Sequence, residues 1–411
     1  MKTEKVVLLF LFISRTVKMR YYLLLFLFII SVNMTLSQWQ HIQNGMGVNR
    51  YVYTLAIKED LIFAGASSGG VYISTNNGNN WQQTALTAPV IHSLFQDGNY
   101  LFAGTGQQGV YYSTDNGANW IQSAMNNRTI FSFAKKNNTL FAGSDSNGVF
   151  RSTNNGANWF STGLTGLTIY SLAEAGGLIL AGTSRFGMYV STDDGSSWIT
   201  VPFFNLGVFD FAADSNLVLA GTSSGIYRST NYGFSFTQFA LEEELISDVL
   251  ISGSTVFAGS FSGGVYVSGN HGADWLQKNE GLTQLTSSSL CILNNYLFTG
   301  TQHSVFRRTL PELIGIQQIS NEVPKQYLLS QNYPNPFNPE TSILFAVPQS
   351  GFVKLTVFDM LGREVATLVN EVLSAGTYKA DWDASMYSSG VYFYKLESID
   401  YTDVKKMMLI K

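Results

Sequence analysis

Asp210 and Asp248 come nearest to chemistry in this 411-residue chain. They hold equivalent positions in successive copies of a repeat, which puts two carboxyls on neighbouring elements. Paired carboxyls at a suitable separation are what glycoside hydrolysis requires. The same pair also fits a shared proton, a cation in a channel, or a plain replacement of serine. The full column reads Thr54, Ser93, Ser132, Ser171, Asp210, Asp248, Ser289, and its hydroxyls are expected to bond backbone near the channel. One residue earlier runs a second column: Tyr53, His92, Phe131, Tyr170, Phe209, then Ser247 and Ser288. Its rings read first as packing between sheets and second as a platform for sugar rings or peptide side chains. Arg50, Arg128 and Arg185 are expected on the same face, where they add candidate ligand contacts. His41, His92, His271 and His303 lack metal-ligand spacing, Cys291 stands alone, and no phosphate loop or nucleophile motif is visible. No metal and no cofactor is therefore expected.

The elements that must position these residues come from a repeat. An Ala/Thr-Gly dipeptide recurs at Gly65, Gly104, Gly143, Gly182, Gly221, Gly259 and Gly300, in steps of 39, 39, 39, 39, 38 and 41. A period near 40 with four short apolar runs per copy predicts a β-propeller, one repeat per blade. Ile169 to Ala173, Leu178 to Ala181, Met188 to Ser191 and Trp198 to Val201 are the four strands of one copy, inner to outer, with glycines at the turns. The seventh copy stops at Leu310-Pro311 without a fourth strand. Gln38-Trp39-Gln40 matches the fourth-strand start Asn80-Trp81-Gln82, so the N-terminal strand is expected to complete the last blade and close the ring.

Between third and fourth strands stands Ser/Thr-x-Asp/Asn-x-Gly-x-x-Trp/Phe, six times over. Its third positions are Asn76, Asp115, Asn154, Asp193, Asn231 and Asn270, and its aromatic ends are Trp81, Trp120, Trp159, Trp198, Phe236 and Trp275. The Asx side chain is expected to bond amides of its own turn, the Gly to take a left-handed conformation, and the ring to staple turn to blade. Four Asn among six argue for a hydrogen-bonding turn over a calcium site. The motif resembles the Asp-box, or bacterial neuraminidase repeat, of sialidases, sortilin-type receptors and xyloglucanase-type propellers, where it is structural. The Arg-Ile-Pro of sialidases and a convincing Tyr/Glu pair are absent, and sialidases have six blades. Xyloglucanase-type enzymes work in a cleft between two such propellers, and one is present here.

Net charge is −4, and the five leader cations set against Glu4 leave about −8 from Gln38 onward. No Lys/Arg cluster appears between Gln38 and Val323, so nucleic acid is not an expected partner. The apolar run Tyr21 to Val32 after Arg20, with Thr35 and Ser37 before Gln38, predicts a signal peptide over 1–37, with Met19 a candidate true start. The exported chain is expected to have no membrane span. Cys291 aligns with Ala56, Ala134 and Ala173 and is expected to be a small buried apolar side chain.

Residues 310–327 lose the repeat and read as a linker. From 328 to 411 the sequence turns proline-rich, then strand-rich, with expected strands at Thr341 to Val347, Val353 to Phe358, Gly376 to Trp382 and Gly390 to Leu396. The stretches NYPNPFNPETSILFAVP, VKLTVFDMLGREVATLVN, AGTYKADWDA, SSGVYFYKL and KKMMLIK resemble the type A C-terminal sorting domain of the type IX secretion system of the Bacteroidetes lineage. Asn335, Pro336, Phe337, Gly362, Arg363, Gly390, Lys405 and Lys406 lie in those stretches. The resemblance implies a small immunoglobulin-like β-sandwich, read by the secretion translocon after passage into the periplasm and commonly removed at the outer membrane.

The sequence thus predicts an all-β protein: a seven-bladed β-propeller over 38–309, then a sandwich. The expected function is non-covalent binding of a glycan, peptide or surface protein by a secreted or surface-displayed chain. A glycan-active hydrolase or lyase built on Asp210 and Asp248 is the alternative.

Overall fold

The computed structural model describes residues 38–411 apart from 49, 88–89, 203–205, 254, 314–315, 321 and 385–386. The signal peptide read in 1–37 lies outside the described residues.

Seven four-stranded antiparallel sheets occupy the first part of the described chain. Their inner strands are Val52–Lys58, Ile91–Asp97, Ile130–Lys136, Ile169–Ala175, Val208–Asp214, Ile246–Ser252 and Ser289–Leu293; the sheets are called blades 1 to 7 in that order. Each inner strand packs beside the next, and the seventh packs beside the first. The result is a closed β-propeller. Second strands such as Leu178–Thr183 are buried along their whole length, because a neighbouring blade covers each face. That double burial is why they read as unbroken apolar runs.

The repeated glycine has a packing cause. A Cβ on Gly182 would stand 2.2 Å from Ser171 Oγ and 2.8 Å from Val208 Cγ1 of the next blade. One on Gly104 would stand 2.7 Å from Ile130 O, and one on Gly300 2.8 Å from Val52 O. Each glycine therefore sits at a seam where one blade's second strand meets the next blade's inner strand, and only a hydrogen fits there.

The Ser-x-Asx-x-Gly turns repeat one hydrogen-bond pattern. In blade 2, Ser113 Oγ bonds Asp115 Oδ1 (2.8 Å) and accepts from Gly117 N (2.8 Å), while Asp115 Oδ1 accepts from Asn119 N (2.9 Å). Blades 1 and 3 to 6 repeat it around Asn76, Asn154, Asp193, Asn231 and Asn270. Residue pairs such as Asn116 (φ 56°) and Gly117 (φ 85°) are both left-handed, which places the glycine. The Asn119 side chain and the Ser197 hydroxyl, followed by the amides behind them, hold the Asp115 and Asp193 carboxyls below the usual range. The closing rings do two jobs. Trp81, Trp120 and Trp198 donate to Ile42 O, Thr84 Oγ1 and Thr162 O of the preceding blade. Trp159 and Trp275 donate to Gly156 O and Gly272 O of their own turns.

Blade 7 takes its outer strand from the start of the described chain. Gln40–His41 pairs with Ser304–Thr309, Gln40 opposite Arg307 and His41 opposite Phe306. Trp39, 3% exposed, donates from its ring to Lys278 O (2.6 Å) and from its amide to Glu280 O (2.8 Å).

Two further four-stranded sheets share one apolar core. One holds Ile316–Ser320, Gly376–Asp383, Glu340–Val347 and Leu328–Leu329; the other holds Glu364–Leu373, Gly351–Phe358, Gly390–Ser398 and Tyr401–Leu409. Residues 310–327, read as a linker, carry a helical turn at Leu310–Leu313 and the edge strand Ile316–Ser320. Besides Ile316–Ser320 and the two-residue Leu328–Leu329, two long strands escape the sequence reading, Glu364–Leu373 and Tyr401–Leu409. The first pairs with Gly351–Phe358 through two register shifts, which break its alternation of apolar and polar residues. The second is an edge strand and shows a buried face only at Met407 and Leu409.

Candidate functional site

The ring column lies at the mouth of the propeller channel, and a backbone irregularity puts it there. In blades 1 to 6 the register between inner and second strands slips by one residue: between Val52 and Thr54, Ile91 and Ser93, Ile130 and Ser132, Ile169 and Ser171, Val208 and Asp210, and Ile246 and Asp248. The extra residue is in turn Tyr53, His92, Phe131, Tyr170, Phe209 and Ser247. A β-bulge re-aims the side chain of its unpaired residue. Here it directs five rings to one basin.

That basin measures about 480 Å³ and is lined by Tyr51, Tyr53, His92, Phe131, Tyr170, Phe209, Leu245, Ser247, Phe261 and Ser288. The rings touch in sequence. Tyr51 stacks on Tyr53 at 4.3 Å between centroids; Tyr53 to His92 is 5.2 Å, His92 to Phe131 5.1 Å, Phe131 to Tyr170 4.8 Å edge-on, and Tyr170 to Phe209 5.7 Å. Each ring is half-buried. Packing and platform, read from sequence as alternatives, are two faces of one arc: edges pack against neighbours and the remaining surface faces the basin. Tyr51, Leu245 and Phe261 belong to the site but were missed, since they lie on connecting loops outside the column.

The serines that finish the column are committed to backbone. Ser247 Oγ donates to Gly259 O (3.0 Å) and to Ser287 O, and Ser288 Oγ to Gly300 O (2.9 Å) and Val52 O (2.5 Å). Burial lowers the basicity of His92, opposed by the nearby Asp145 carboxylate.

None of the three arginines lines the basin. Arg50 donates to Met46 O and Ser68 O (2.7 Å) and lies over the Tyr72 ring at 5.4 Å. Arg128 lies over Phe150 at 5.1 Å, and Arg185 is exposed in the loop between second and third strands of blade 4. The first two members of the acidic run Glu242-Glu243-Glu244 are exposed. Glu244 turns inward and accepts from Tyr266 OH (2.8 Å) and Ser260 Oγ (2.5 Å).

The deeper column stitches blades together. Thr54 Oγ1 accepts from Leu94 N (3.2 Å), Asp210 Oδ2 from Val249 N (3.0 Å), Asp248 Oδ2 from Leu290 N (3.1 Å) and Ser289 Oγ from Leu55 N (3.0 Å). Ser93 and Ser171 donate instead, to Ile130 O and Val208 O. All cross to the next blade's inner strand. Asp210 and Asp248 thus occupy serine positions and do the serine's job. Neither lines the basin. Burial pushes the Asp210 carboxyl up to about 7. Burial, then the charge of Asp210, pushes Asp248 well above the usual carboxylate range. Both residues are half-buried. Burial likewise raises the pKa of the Cys291 thiol, which is buried beside Asp248.

The raised Asp210 fixes the sign of a pH effect. An unfolded aspartate titrates near 3.9. Between about pH 4 and about pH 7 the folded chain therefore holds a proton that the unfolded chain has released, and stability falls as pH rises through that window. Asp210→Asn keeps an acceptor for Val249 N and removes the titration. The native melting temperature is expected to drop by a few degrees from about pH 4 to about pH 7.5, and that of the variant by less. Parallel thermal-melt curves for the two proteins would refute this.

In the sandwich, the residues singled out in the stretches that resemble a sorting domain fall in three places. Asn335 and Phe337 dock on the last strand: Asn335 Oδ1 accepts from Met408 N (3.0 Å), Phe337 N donates to Met408 O (3.0 Å), and the Phe337 ring is buried against Trp382. Pro336 lies between them. Lys405 and Lys406 sit on that edge strand, opposite Tyr394 and Phe393. Gly362 (φ 76°) and Arg363 form a hairpin turn organised by Asp359, whose carboxyl accepts from Leu361 N, Arg363 N and Arg363 Nε. Gly390 starts the strand that pairs with the last one. Among the described residues no helix is long and apolar enough to cross a membrane, and no group of three or more His, Cys, Asp or Glu is placed to hold a metal.

Fold and motifs together define a β-propeller protein with a secretion-sorting domain at its C-terminus. Residues 331–411 match the secretion system C-terminal sorting domain family, and residues 95–205 match the DUF6242 beta propeller domain family. The sorting domain marks the protein for type IX export to the cell surface or extracellular space. No curated protein matches the chain. Among solved structures it is similar to PorZ of Porphyromonas gingivalis, a surface component of the type IX secretion system (15% identity, TM-score 0.55, 88% of this chain and 59% of that one). It is also similar to YCF48 bound to D1 peptide (14%, 0.52, 67% and 98%). A third is the GH74 xyloglucanase of Xanthomonas campestris (14%, 0.53, 75% and 59%). At these identities the likeness concerns the fold.

Proposed function

We propose that this protein is a recognition module: a seven-bladed propeller of the Asp-box kind that binds a glycan, peptide or surface protein non-covalently in the aromatic basin. In this reading residues 1–37 are a signal peptide, 38–309 the propeller closed by its N-terminal strand, and 328–411 the address read by the type IX translocon. The observation that carries it is the contrast between two adjacent columns. The bulged ring column faces an open basin of a size suited to ligands. The carboxyl column below it is spent on stitching blades. Asp-box turns, with Trp81, Trp120, Trp159, Trp198, Phe236 and Trp275, are scaffold at the opposite end.

The alternative is a glycan-active hydrolase or lyase using Asp210 and Asp248. One observation favours it: a carboxyl kept protonated near neutral pH is suited to act as a general acid.

The exported chain, displayed on glycan and peptide arrays beside Phe131→Leu/Tyr170→Leu, tests the binding reading. The native chain is expected to give discrete hits, and the variant to lose them by about tenfold or more in affinity. Hits that survive the double substitution place recognition elsewhere.

A further inference from the structure

The seam between blades 2 and 3 departs from the repeat, and the departures gather round one groove. In blades 1, 2 and 4 the closing indole donates to the preceding blade, whereas Trp159 of blade 3 turns back to Gly156 O (2.9 Å). The two blades still touch, through Ala124 N and Ala157 O (3.2 Å). Beside that contact lies an open groove of about 290 Å³, and Asn127, Arg128, Phe150, Asn158, Trp159 and Phe160 are among its lining residues.

Asn158 stands four places after the Asx of its turn. Its counterparts Asn80, Asn119, Ser197, Ser235 and Asp274 each engage an Asn or Asp side chain. Among the described residues the side-chain amide of Asn158 bonds nothing. Arg128 differs in the same way from Arg50, its counterpart in blade 1. Arg50 donates to Met46 O and Ser68 O. Arg128 lies over the Phe150 ring at 5.1 Å and, among the described residues, has no hydrogen bond or ion pair. Stacking occupies the face of a guanidinium and leaves the edge donors, whose fork matches a carboxylate. No Asp or Glu lines the groove. The Asp145 carboxylate accepts from Thr129 N (3.3 Å), and Arg151, beside Phe150, donates to Asp194 O. The position after the closing ring is Gln82, Ile121, Ile199, Thr237 or Leu276 in blades 1, 2, 4, 5 and 6. In blade 3 it is the ring of Phe160, 64% exposed.

We propose that this groove binds an acidic sugar residue, a pyranose that carries a carboxylate. Arg128 pairs with the carboxylate, the Phe160 ring covers one face of the sugar, and the Asn127 and Asn158 amides meet its hydroxyls. An amide side chain both donates and accepts, as a hydroxyl does. An acidic peptide side chain would use the guanidinium and leave the exposed ring and the two amides without a role. The groove is separate from the aromatic basin, so the inference goes beyond the recognition reading and does not depend on it.

The test is calorimetry of the exported chain with trigalacturonate, its trimethyl ester, and a capped pentapeptide with a central Glu. The acid is expected to bind, and the ester to bind about tenfold or more weakly. Arg128→Gln is expected to cost about tenfold or more in affinity for the acid, and Arg128→Lys less, since the charge stays and the fork goes. Phe160→Thr/Asn158→Ser is expected to weaken the acid several-fold. Blade 5 carries these residue types at the same positions, as Thr237 and Ser235, so the fold is expected to accept them, with thermal melts as the check. Failure of the acid to bind at millimolar concentration overturns the inference. So does equal binding of acid and ester, or binding that survives both Arg128→Gln and Phe160→Thr/Asn158→Ser. Capture of the Glu peptide without the acid overturns the sugar class and makes the groove a peptide site. Binding of the acid that is lost in Phe131→Leu/Tyr170→Leu and kept in Arg128→Gln assigns it to the basin and overturns the groove.

Discussion

Cells producing the chain without residues 405–411 are expected to hold it in the periplasm, with the surface and culture-medium fractions falling to background. The cause begins in packing. The truncation removes half of the Tyr401–Leu409 edge strand and takes Met407 and Leu409, both essentially buried, out of the sandwich core. It also removes the Met408 amide and carbonyl on which Asn335 and Phe337 dock. Losing two buried apolar side chains costs about 4 kcal/mol or more, and the proline-rich segment loses its anchor. A second variant separates address from stability. Lys405→Ala/Lys406→Ala leaves the core untouched, since Lys406 is exposed and Lys405 half-buried, and it is expected to reduce export without lowering the melting temperature. Immunoblots of periplasm, surface and medium decide. Normal export of the truncated chain would show that residues 331–411 are not the address.

Deleting residues 38–44 is expected to have the largest effect on stability. Trp39 ties the outer strand of blade 7 to the end of blade 6 by two hydrogen bonds, to Lys278 O and Glu280 O, and by a buried ring. His41 stacks on Phe306 at 4.5 Å, and Ile42 N donates to Val305 O (2.9 Å). Ile42 also receives the Trp81 indole, and Asn44 O accepts from Trp81 N (2.8 Å). The seven residues therefore join blade 7 to blade 1 as well as completing blade 7. Without them the edge of Ser304–Thr309 is bare, and the seam loses its outer half. Trp39→Ala alone is expected to cost about 3 kcal/mol. The deletion should lower the melting temperature by about 10 °C or more, or prevent soluble expression. A deletion protein that melts with the native chain would contradict velcro closure at this seam.

The repeat made the propeller legible because its punctuation is structural. Gly65 to Gly300 mark blade seams where a Cβ has no room, and the Asx-x-Gly turns use backbone conformations few other residues accept. The serine and carboxyl column was legible as backbone-bonding for the same reason: its role recurs in six of the seven blades, Ser132 in blade 3 being the exception. The basin was legible in part. Tyr53 to Phe209 stand in register in the sequence, but their aim depends on a one-residue slip between strands that leaves no mark in composition. Loop residues Tyr51, Leu245 and Phe261 carry no period. Arg50, Arg128 and Arg185 share a face in sequence, yet Tyr72 and Phe150 hold the first two away from the channel. In the sandwich, Glu364–Leu373 and Tyr401–Leu409 escaped because register shifts and an edge position blur the two-residue alternation.

The central claim is recognition at the rings rather than chemistry at the carboxyls. It is tested most directly by mass spectrometry of a mixed oligosaccharide pool, neutral and acidic, after prolonged incubation with the exported chain and with Asp210→Asn/Asp248→Asn. Every oligosaccharide is expected to return with its mass unchanged in both incubations. Cleavage products with the native chain that disappear with the double variant would contradict it, and would make Asp210 and Asp248 the working residues of a glycan-active enzyme.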